Sequence, residues 1–561
     1  MRAVPFPAPR LSKKVVPAML KRVALPPLSP NRLIMLFAAA LVAFYNVAAW
    51  GALASLTELS GLKRGLFEAS FAVLLWAAFC LVLLPFSFRP LLRPAISLVA
   101  ITAALAAYFM NTYGVSIDRV MMQNVMETNP GEARALLSAK MVGYVLLLGV
   151  LPATLAWLWP VRYRPFLTGL LTKLALALIA TVLLAVMVAS FYSTYAPLFR
   201  QEDQLTHFIN PTNYLYATAK TASEKWAIKR DTVIQPIGTD AQRVTVGERK
   251  KLMIFVVGET ARADHFGLNG YPRPTTPELS QLDVLNFSQV HSCGTSTAVS
   301  VPCMFSMFPH SDYSDKKGKT YESLLDVLKR TGMNVLWLEN NSDCKGVCLR
   351  VPNQDIPKTQ PGPFCDGQRC LDEALLAGLD TYIDTLDDDT LIVLHSDGSH
   401  GPEYYDRYPA DQQVFTPVCH TNQLGSCSQQ ALVNVYDNTI HYTDHFLARV
   451  VALLKQRQQR WDTALWYVSD HGESLGENGV YLHAAPYAIA PEAQTHVPMV
   501  LWFGQGSLAD TGVERGCLQA KQNQEGLSHD EVFHSLLGWF SVNTNLYQGA
   551  LDLFKSCRKG V

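Results

Sequence analysis

Acidic side chains are missing from the first 31 residues, where Arg2, Arg10, Lys13, Lys14, Lys21 and Arg22 stand unopposed. Cysteine is nearly missing from the first 292 residues, with Cys80 alone there. No segment repeats, and no low-complexity tract follows the Pro-rich tail, which excludes a solenoid or a propeller. The formal net charge is +0, so no overall basic field draws the chain to nucleic acid. What is plentiful is apolar side chain, 49% of 561 residues.

Five apolar runs lie near Arg32 to Leu53, Ala69 to Phe86, Pro94 to Tyr113, Met141 to Pro160 and Leu170 to Tyr192. Each is long enough to cross a bilayer, which takes about 20 such residues, and five in succession argue against buried helices of a soluble protein. Basic residues set the orientation. The tail with Arg32, the pair Arg89 and Arg93, and the pair Arg162 and Arg164 share one side, expected to be cytoplasmic. The opposite loop, Ser116 to Lys140, mixes Asp118, Glu127 and Glu132 with its basic residues. An odd number of spans then carries everything after about residue 195 to the far side. The tail is too long and Pro-rich for a cleaved signal peptide, so the first run is expected to stay as an anchor.

The expected division is a basic cytoplasmic tail (1–31), a five-helix membrane domain (32–195), a linker with interfacial helices (196–247) and a soluble domain (248–561). Within the linker, Thr212 to Arg230 sets Tyr214, Tyr216 and Trp226 among Lys and Glu, a pattern for a helix lying on the membrane. A plain surface helix fits the same residues.

From Lys251 the patterning changes. Leu252 to Val257, Asn334 to Leu338, Thr390 to Leu394, Ala464 to Val468 and Pro498 to Trp502 read as buried strands. Tyr321 to Arg330, Leu371 to Leu386, Leu432 to Gln456 and His529 to Phe540 read as helices. The alternation predicts an α/β domain whose mostly parallel sheet is sandwiched by helices. Ligand chemistry in such sheets gathers at the carboxyl ends of the strands. There the chain places Glu259, then His395 and His400, then Asp470, His471 and, after a Gly-rich turn, Glu473 and His483. These carboxylates and imidazoles are the oxygen and nitrogen donors a zinc site uses.

The ten cysteines after residue 292 form an even set, as expected of an exported, oxidised domain. Close spacing suggests Cys293–Cys303, Cys344–Cys348, Cys365–Cys370 and Cys419–Cys427, leaving Cys517–Cys557. A cysteine zinc cluster is the alternative, against which the spacings are irregular. The first pair brackets a hydroxyl-rich segment, Gly294-Thr295-Ser296-Thr297-Ala298-Val299-Ser300. Closing that loop would stabilise by about 2–3 kcal/mol and hold one hydroxyl in place. A Thr hydroxyl is a poor nucleophile until a metal favours its alkoxide.

Glu259-Thr260, Cys293 to Thr297, Asn341 to Gly346, Ser399 to Pro402 and Ser469 to His483 occur in this order, and together they resemble the membrane phosphoethanolamine transferases. That lipid A-modifying family includes the mobile colistin-resistance enzymes. The resemblance covers nearly all of the chain after residue 32 and implies an alkaline-phosphatase/sulfatase-like fold. It implies a zinc ion held by Glu259, Thr297, Asp470 and His471, a second zinc in turnover being left open. Thr297, the second Thr after the loop's first Cys, matches the nucleophile. Lys345, His400 and His483 match residues around the transferred phosphoryl group, with Asn341, Ser342, His395 and Glu473 beside them. A similarity in Met121-Met122-Gln123-Asn124 makes Asn124 and Glu127 candidates for the lipid head group, against the reading of a solvated loop.

The activity so implied moves phosphoethanolamine from phosphatidylethanolamine to a lipid A phosphate through a phosphoethanolamine–threonine intermediate. The enzyme would act as a monomer in the bacterial inner membrane with its catalytic domain in the periplasm. Lower surface charge and resistance to cationic peptides such as polymyxin would follow. Three other readings compete. Transfer to a lipopolysaccharide core sugar uses the same motif residues. A zinc phosphatase or sulfatase-like hydrolase would need no polytopic anchor. A non-enzymatic membrane receptor should have lost the ligand set that this chain retains.

Overall fold

The computed structural model describes residues 26–559 except 57–58, 129, 193, 196–197, 199–202, 231–232, 245–246 and 248. Most of the basic tail, with Arg2, Arg10, Lys13, Lys14, Lys21 and Arg22, lies outside the described residues. Among those described, four single helices are long and apolar enough to cross a membrane: Gly61–Phe86, Leu92–Tyr113, Ala139–Leu158 and Phe166–Ser190. We label them α3, α4, α6 and α7.

The first run is a bent pair. Helix α1 (Pro30–Ala40) continues as a π turn, Leu41–Tyr45, and meets α2 (Val47–Leu56) at 61°. The physical reason is Asn46. Its Nδ2 donates to the Leu41 carbonyl (2.9 Å) and to the Asn210 carbonyl (2.6 Å), while its Oδ1 accepts from the Asn210 amide (2.9 Å). A polar clasp in apolar surroundings keeps the freed backbone groups satisfied. Asn210 comes from beyond the last span, so hydropathy alone does not show this bend.

The soluble part is built on eight strands: β1 (Lys250–Gly258), β2 (Val284–His291), β3 (Asn334–Glu339), β4 (Asn353–Asp355), β5 (Thr390–His395), β6 (Trp461–Ser469), β7 (His496–Phe503) and β8 (Leu527–Ser528). Their order across the sheet is β8-β2-β7-β6-β1-β5-β3-β4. Only β7 runs against its neighbours, β2 and β6; every other pair is parallel. The centre of the sheet is buried on both faces. Along β1, Met253, Phe255 and Val257 enter one core, and Leu252, Ile254 and Val256 enter the other. The first core packs under α9 (Thr297–Met304) and α11 (Asp530–Trp539), the second under the long α10 (Gln429–Lys455).

Two expectations are refined. The helix expected from Leu371 to Leu386 is split into a 3-10 turn, Asp372–Leu376, and a short helix, Leu379–Asp384, because Gly378 between them has φ +75°. Strand β2 escapes notice in the sequence because Asn286, Ser288, Gln289 and His291 interrupt its apolar residues.

The two halves meet through two sets of polar ties. On one side, α5 (Arg119–Glu127) faces the short helix Asp315–Thr320, pairing Arg119 with Asp315 (2.7 Å) and Glu127 with Lys319 (3.2 Å). On the other, Asn422 Nδ2 donates to the Ala135 and Leu137 carbonyls (2.7 and 2.9 Å), and Tyr113 donates its hydroxyl to the Asn422 carbonyl (3.2 Å). Gly114, at φ +68°, ends α4 so close to the Gly479 carbonyl that a Cβ would lie 2.3 Å from that oxygen. The linker helix α8 (Thr212–Arg230) packs its Tyr214 hydroxyl 2.7 Å from Thr102 Oγ1 of α4 and leaves Tyr216 and Trp226 exposed.

Candidate active site at the strand ends

Parallel neighbours β6, β1 and β5 end level with one another: Val257 sits opposite both Val468 and His395, and Gly258 opposite Ser469. The next residues, Glu259 and Asp470, therefore emerge side by side, and the Asp470 amide extends the ladder to the Gly258 carbonyl (2.9 Å). Thr260 holds φ +54°, which is costly for a β-branched residue. Its amide donates to Asp470 Oδ1 (3.2 Å), and its carbonyl accepts from the Tyr436 hydroxyl of α10 (2.7 Å). Gly398, at φ +48°, lets the loop after β5 approach: a Cβ there would come within 2.7 Å of the Glu259 carbonyl oxygen.

Glu259, Asp470 and His471 gather their ligating atoms within 4.8 Å of one another, fully buried. Thr297, first residue of α9, donates from Oγ1 to Glu259 Oε2 at 3.1 Å and lies 3.4 Å from His471 Nε2. The His471 Nδ1–H donates to the Gly472 carbonyl (2.9 Å), which leaves the Nε2 lone pair facing the cluster. Burial, reinforced by the neighbouring His483, keeps His471 well below the ordinary histidine range and so neutral. Burial, and then the adjacent Asp470, push Glu259 up to about 7. Burial does the same to Asp470. Among the described residues, Glu259 Oε1 and Asp470 Oδ2 are buried without a hydrogen-bond partner. Two carboxylates, a hydroxyl and an imidazole lone pair, with orphaned oxygens between them, fit a divalent cation.

Around this cluster stand the other candidates. Asn341 Nδ2 donates to Glu259 Oε2 (2.6 Å) and to the Ser396 carbonyl (3.1 Å), so it orients the carboxylate. Ser342 Oγ accepts from Lys345 Nζ (2.8 Å). Rings of His471, His483 and His400 form a row, with centroids 4.5 and 5.3 Å apart. The His483 Nδ1–H donates to Glu473 Oε2 (2.8 Å), and Glu473 Oε1 accepts from the Tyr404 hydroxyl (2.6 Å). Burial opposes charge on His483, but Glu473 outweighs it and leaves the imidazole raised. His395 stands a layer back: its Nδ1 bonds to Glu339 (2.9 Å), whose other oxygen accepts from the Asn341 amide (2.7 Å).

A cavity of about 690 Å³ opens over Thr297. Thr297, Asn341, Ser342, Lys345, His400 and His483 line its floor, and Leu98, Leu105, Phe109, Tyr214 and Leu215 from α4 and α8 line its apolar wall. Asn124 and Glu127 of α5 face the same space, though Glu127 is engaged by Lys319. His395 and Glu473 are absent from this lining. Sequence reasoning missed Arg407 and Glu132, which also line it. Arg407 donates from Nε to the His400 carbonyl (2.8 Å) and pairs with Asp397. Reading the Ser399 to Pro402 motif a few residues further would have reached it.

The ten cysteines form five disulfides: Cys293–Cys303, Cys344–Cys348, Cys365–Cys370, Cys419–Cys427 and Cys517–Cys557. No thiolate of this set is left for a zinc cluster, and Cys80 is the free cysteine among the described residues.

Comparison with known proteins agrees with this layout. A family model described as Phosphoethanolamine transferase EptA/EptB matches residues 75–226, and the Sulfatase family model matches residues 251–542. The chain is similar to Phosphoethanolamine transferase EptA of Salmonella typhimurium, 42% identical over 531 residues that span 94% of this chain and 96% of that protein. It is 39% identical to Phosphatidylethanolamine transferase Mcr-1 of Escherichia coli over 493 residues, 85% of this chain and 89% of that one. Among solved structures, the integral membrane protein lipooligosaccharide phosphoethanolamine transferase A (EptA) from Neisseria meningitidis superposes with TM-score 0.92 at 36% identity, covering 95% of this chain and all of that one.

Proposed function

The chain belongs to the phosphoethanolamine transferase family, and from that premise we propose that it carries phosphoethanolamine from phosphatidylethanolamine to a lipid A phosphate by way of Thr297. The observation that supports this most is the cavity whose one wall is membrane-helix side chains and whose floor is Thr297 with its charged neighbours. A water-soluble phosphate ester would need no such wall, whereas a diacylglycerol ester does.

Glu259, Asp470, His471 and Thr297 would hold the metal, which we assign as zinc. When bound there, zinc lowers the pKa of the Thr297 hydroxyl and offsets phosphoryl charge. The other steps belong to the chain's own residues. Thr297 Oγ1, at the positive N-terminus of α9, gives up its proton to solvent and attacks the donor phosphorus as the alkoxide. The Thr297 Oγ1–phosphorus bond forms and the bond to the diacylglycerol oxygen breaks. His483, kept protonated by Glu473 and backed by Tyr404, gives its proton to that oxygen. Lys345 and His400 face the phosphoryl oxygens from the cavity floor. A lipid A phosphate oxygen then gives its proton to His483 and attacks the same phosphorus, the Thr297 Oγ1–phosphorus bond breaks, and Thr297 leaves as the alkoxide. Asn341 keeps Glu259 in place, and Ser342 steadies Lys345. Asn124 and Glu127, on the membrane side, meet the ammonium end of the head group, with Glu132 near them.

In the same reading, residues 1–31 are cytoplasmic, 32–195 cross the inner membrane, 196–247 connect through α8 at the interface, and 248–561 work in the periplasm as a monomer. Masking lipid A phosphates lowers surface negative charge and so the binding of polymyxin. Mass spectrometry of lipid A from cells making wild type or Thr297→Ala tests the proposal. A phosphoethanolamine adduct with wild type only is expected. An adduct with both, or one found on a core sugar, contradicts it.

A further inference from the structure

His529 stands outside the machinery described so far. It sits between β8 and α11 and is 1% exposed. Its Nδ1 accepts from the Cys293 amide (3.1 Å), and its Nε2–H donates to the Ser469 carbonyl (2.9 Å). The first partner begins the loop that delivers Thr297. The second is the residue ahead of Asp470 and His471. One planar ring thus bridges the nucleophile loop and the end of β6.

That bridge directly joins two parts that the sheet links only through β7. Glu259 and Asp470 are fixed to each other by the β1–β6 ladder. The loop carrying Thr297 follows β2, which is separated from β6 by β7. Other hydrogen bonds of the loop run to His310, Ala484, Ala485, Tyr487 and Thr495, and from Thr297 to Glu259, none of them on β6. The separation that matters, Thr297 Oγ1 to His471 Nε2 at 3.4 Å, therefore spans this junction. We propose that His529 is a positioning residue that holds the Thr297 loop in register with the Asp470–His471 end of β6. Only a neutral imidazole with its proton on Nε2 makes both bonds, and burial brings His529 down to about 4, so the ring stays neutral in the periplasmic pH range. The inference rests on the assignment of Thr297 in the proposed function.

The test uses the full chain in detergent with phosphatidylethanolamine as donor. Asn at 529 offers an acceptor where Nδ1 stands, and Gln a donor where Nε2 stands; neither offers both. In His529→Asn and His529→Gln, kcat should fall about 100-fold, the cost of a small misplacement, with KM for donor within about threefold of wild type. Metal content and melting temperature should hold, and amide exchange across 292–297 should quicken about tenfold or more. In wild type the Cys293 amide itself should be protected from exchange, a measurement that does not depend on either variant folding. An unprotected Cys293 amide, or variants whose kcat and exchange match wild type, would overturn the proposal; so would kcat losses that merely follow lost metal or lost melting temperature. Recovery of the phosphoethanolamine–Thr297 peptide from wild type with donor alone separates the two ideas. If it is missing while the variants still lose kcat and exchange protection, the nucleophile reading fails and the positioning role stands.

Discussion

The cavity has two unlike walls. The floor from the sheet domain and the cluster behind it are buried polar groups, each fixed by a strand end or by a hydrogen bond: Glu259 by Asn341 and Asp470 by the Thr260 and His471 amides in the cluster, His483 by Glu473 on the floor. The wall from the membrane helices is mostly apolar, and two ion pairs that tie it to the other half, Arg119–Asp315 and Glu127–Lys319, are partly open to solvent. The difference teaches where each kind of energy is used. Buried polar groups hold chemistry to fractions of an ångström because an unpaired one is costly. Apolar contact is non-directional and tolerates lipids of varied shape. Changes in the floor should therefore act on kcat, and changes in the wall on KM.

Thr297→Ala is the strongest test of the floor, expected to lower transfer by at least about 10⁴-fold as read by labelled-lipid turnover. Next comes Asp470→Asn. Replacing a buried carboxylate that faces His471 at 3.3 Å should weaken metal binding by about 100-fold or more, measurable by metal analysis of the purified protein. Full occupancy would remove Asp470 from the ligand set. Glu473→Gln comes third. Glu473 raises His483, so its loss lets that proton leave at lower pH. The alkaline limb of the kcat profile should move toward lower pH, with kcat at neutrality down about 100-fold. An unmoved limb would take His483 out of the acid role.

On the wall, Phe109→Ala should raise KM for long-chain donor about tenfold, near 1.5 kcal/mol of lost apolar contact, with kcat little changed. A kcat loss larger than the KM change would break the comparison between the two walls. The smallest effect belongs to Arg119→Ala, under about 1 kcal/mol for a pair still partly reached by solvent, seen as a slight fall in melting temperature that is lessened in high salt.

Much of this was legible in the chain. β1, β5 and β6 announce themselves as apolar runs, and each is followed by its donors: Glu259, His400, then Asp470 and His471. What was not legible came from residues distant in sequence. Asn210 bends the first run at Asn46 across 164 positions. His529 reaches Cys293 across 236 positions and Ser469 across 60. Arg407 and Tyr404 are seven and four residues beyond His400, in a segment whose polar look suggests only a turn.

Local order determined the rest. Hydropathy settles which segments leave water, and strand periodicity settles which residues stand at a sheet edge, because both depend on neighbours along the chain. Convergence of Thr297, Glu259, Asp470 and His471, their row of histidines and the meeting of that row with the helix wall were decided only by tertiary structure. Strand order, loop closure and one buried imidazole bring those atoms together, and none of these is a property of any stretch of sequence taken alone.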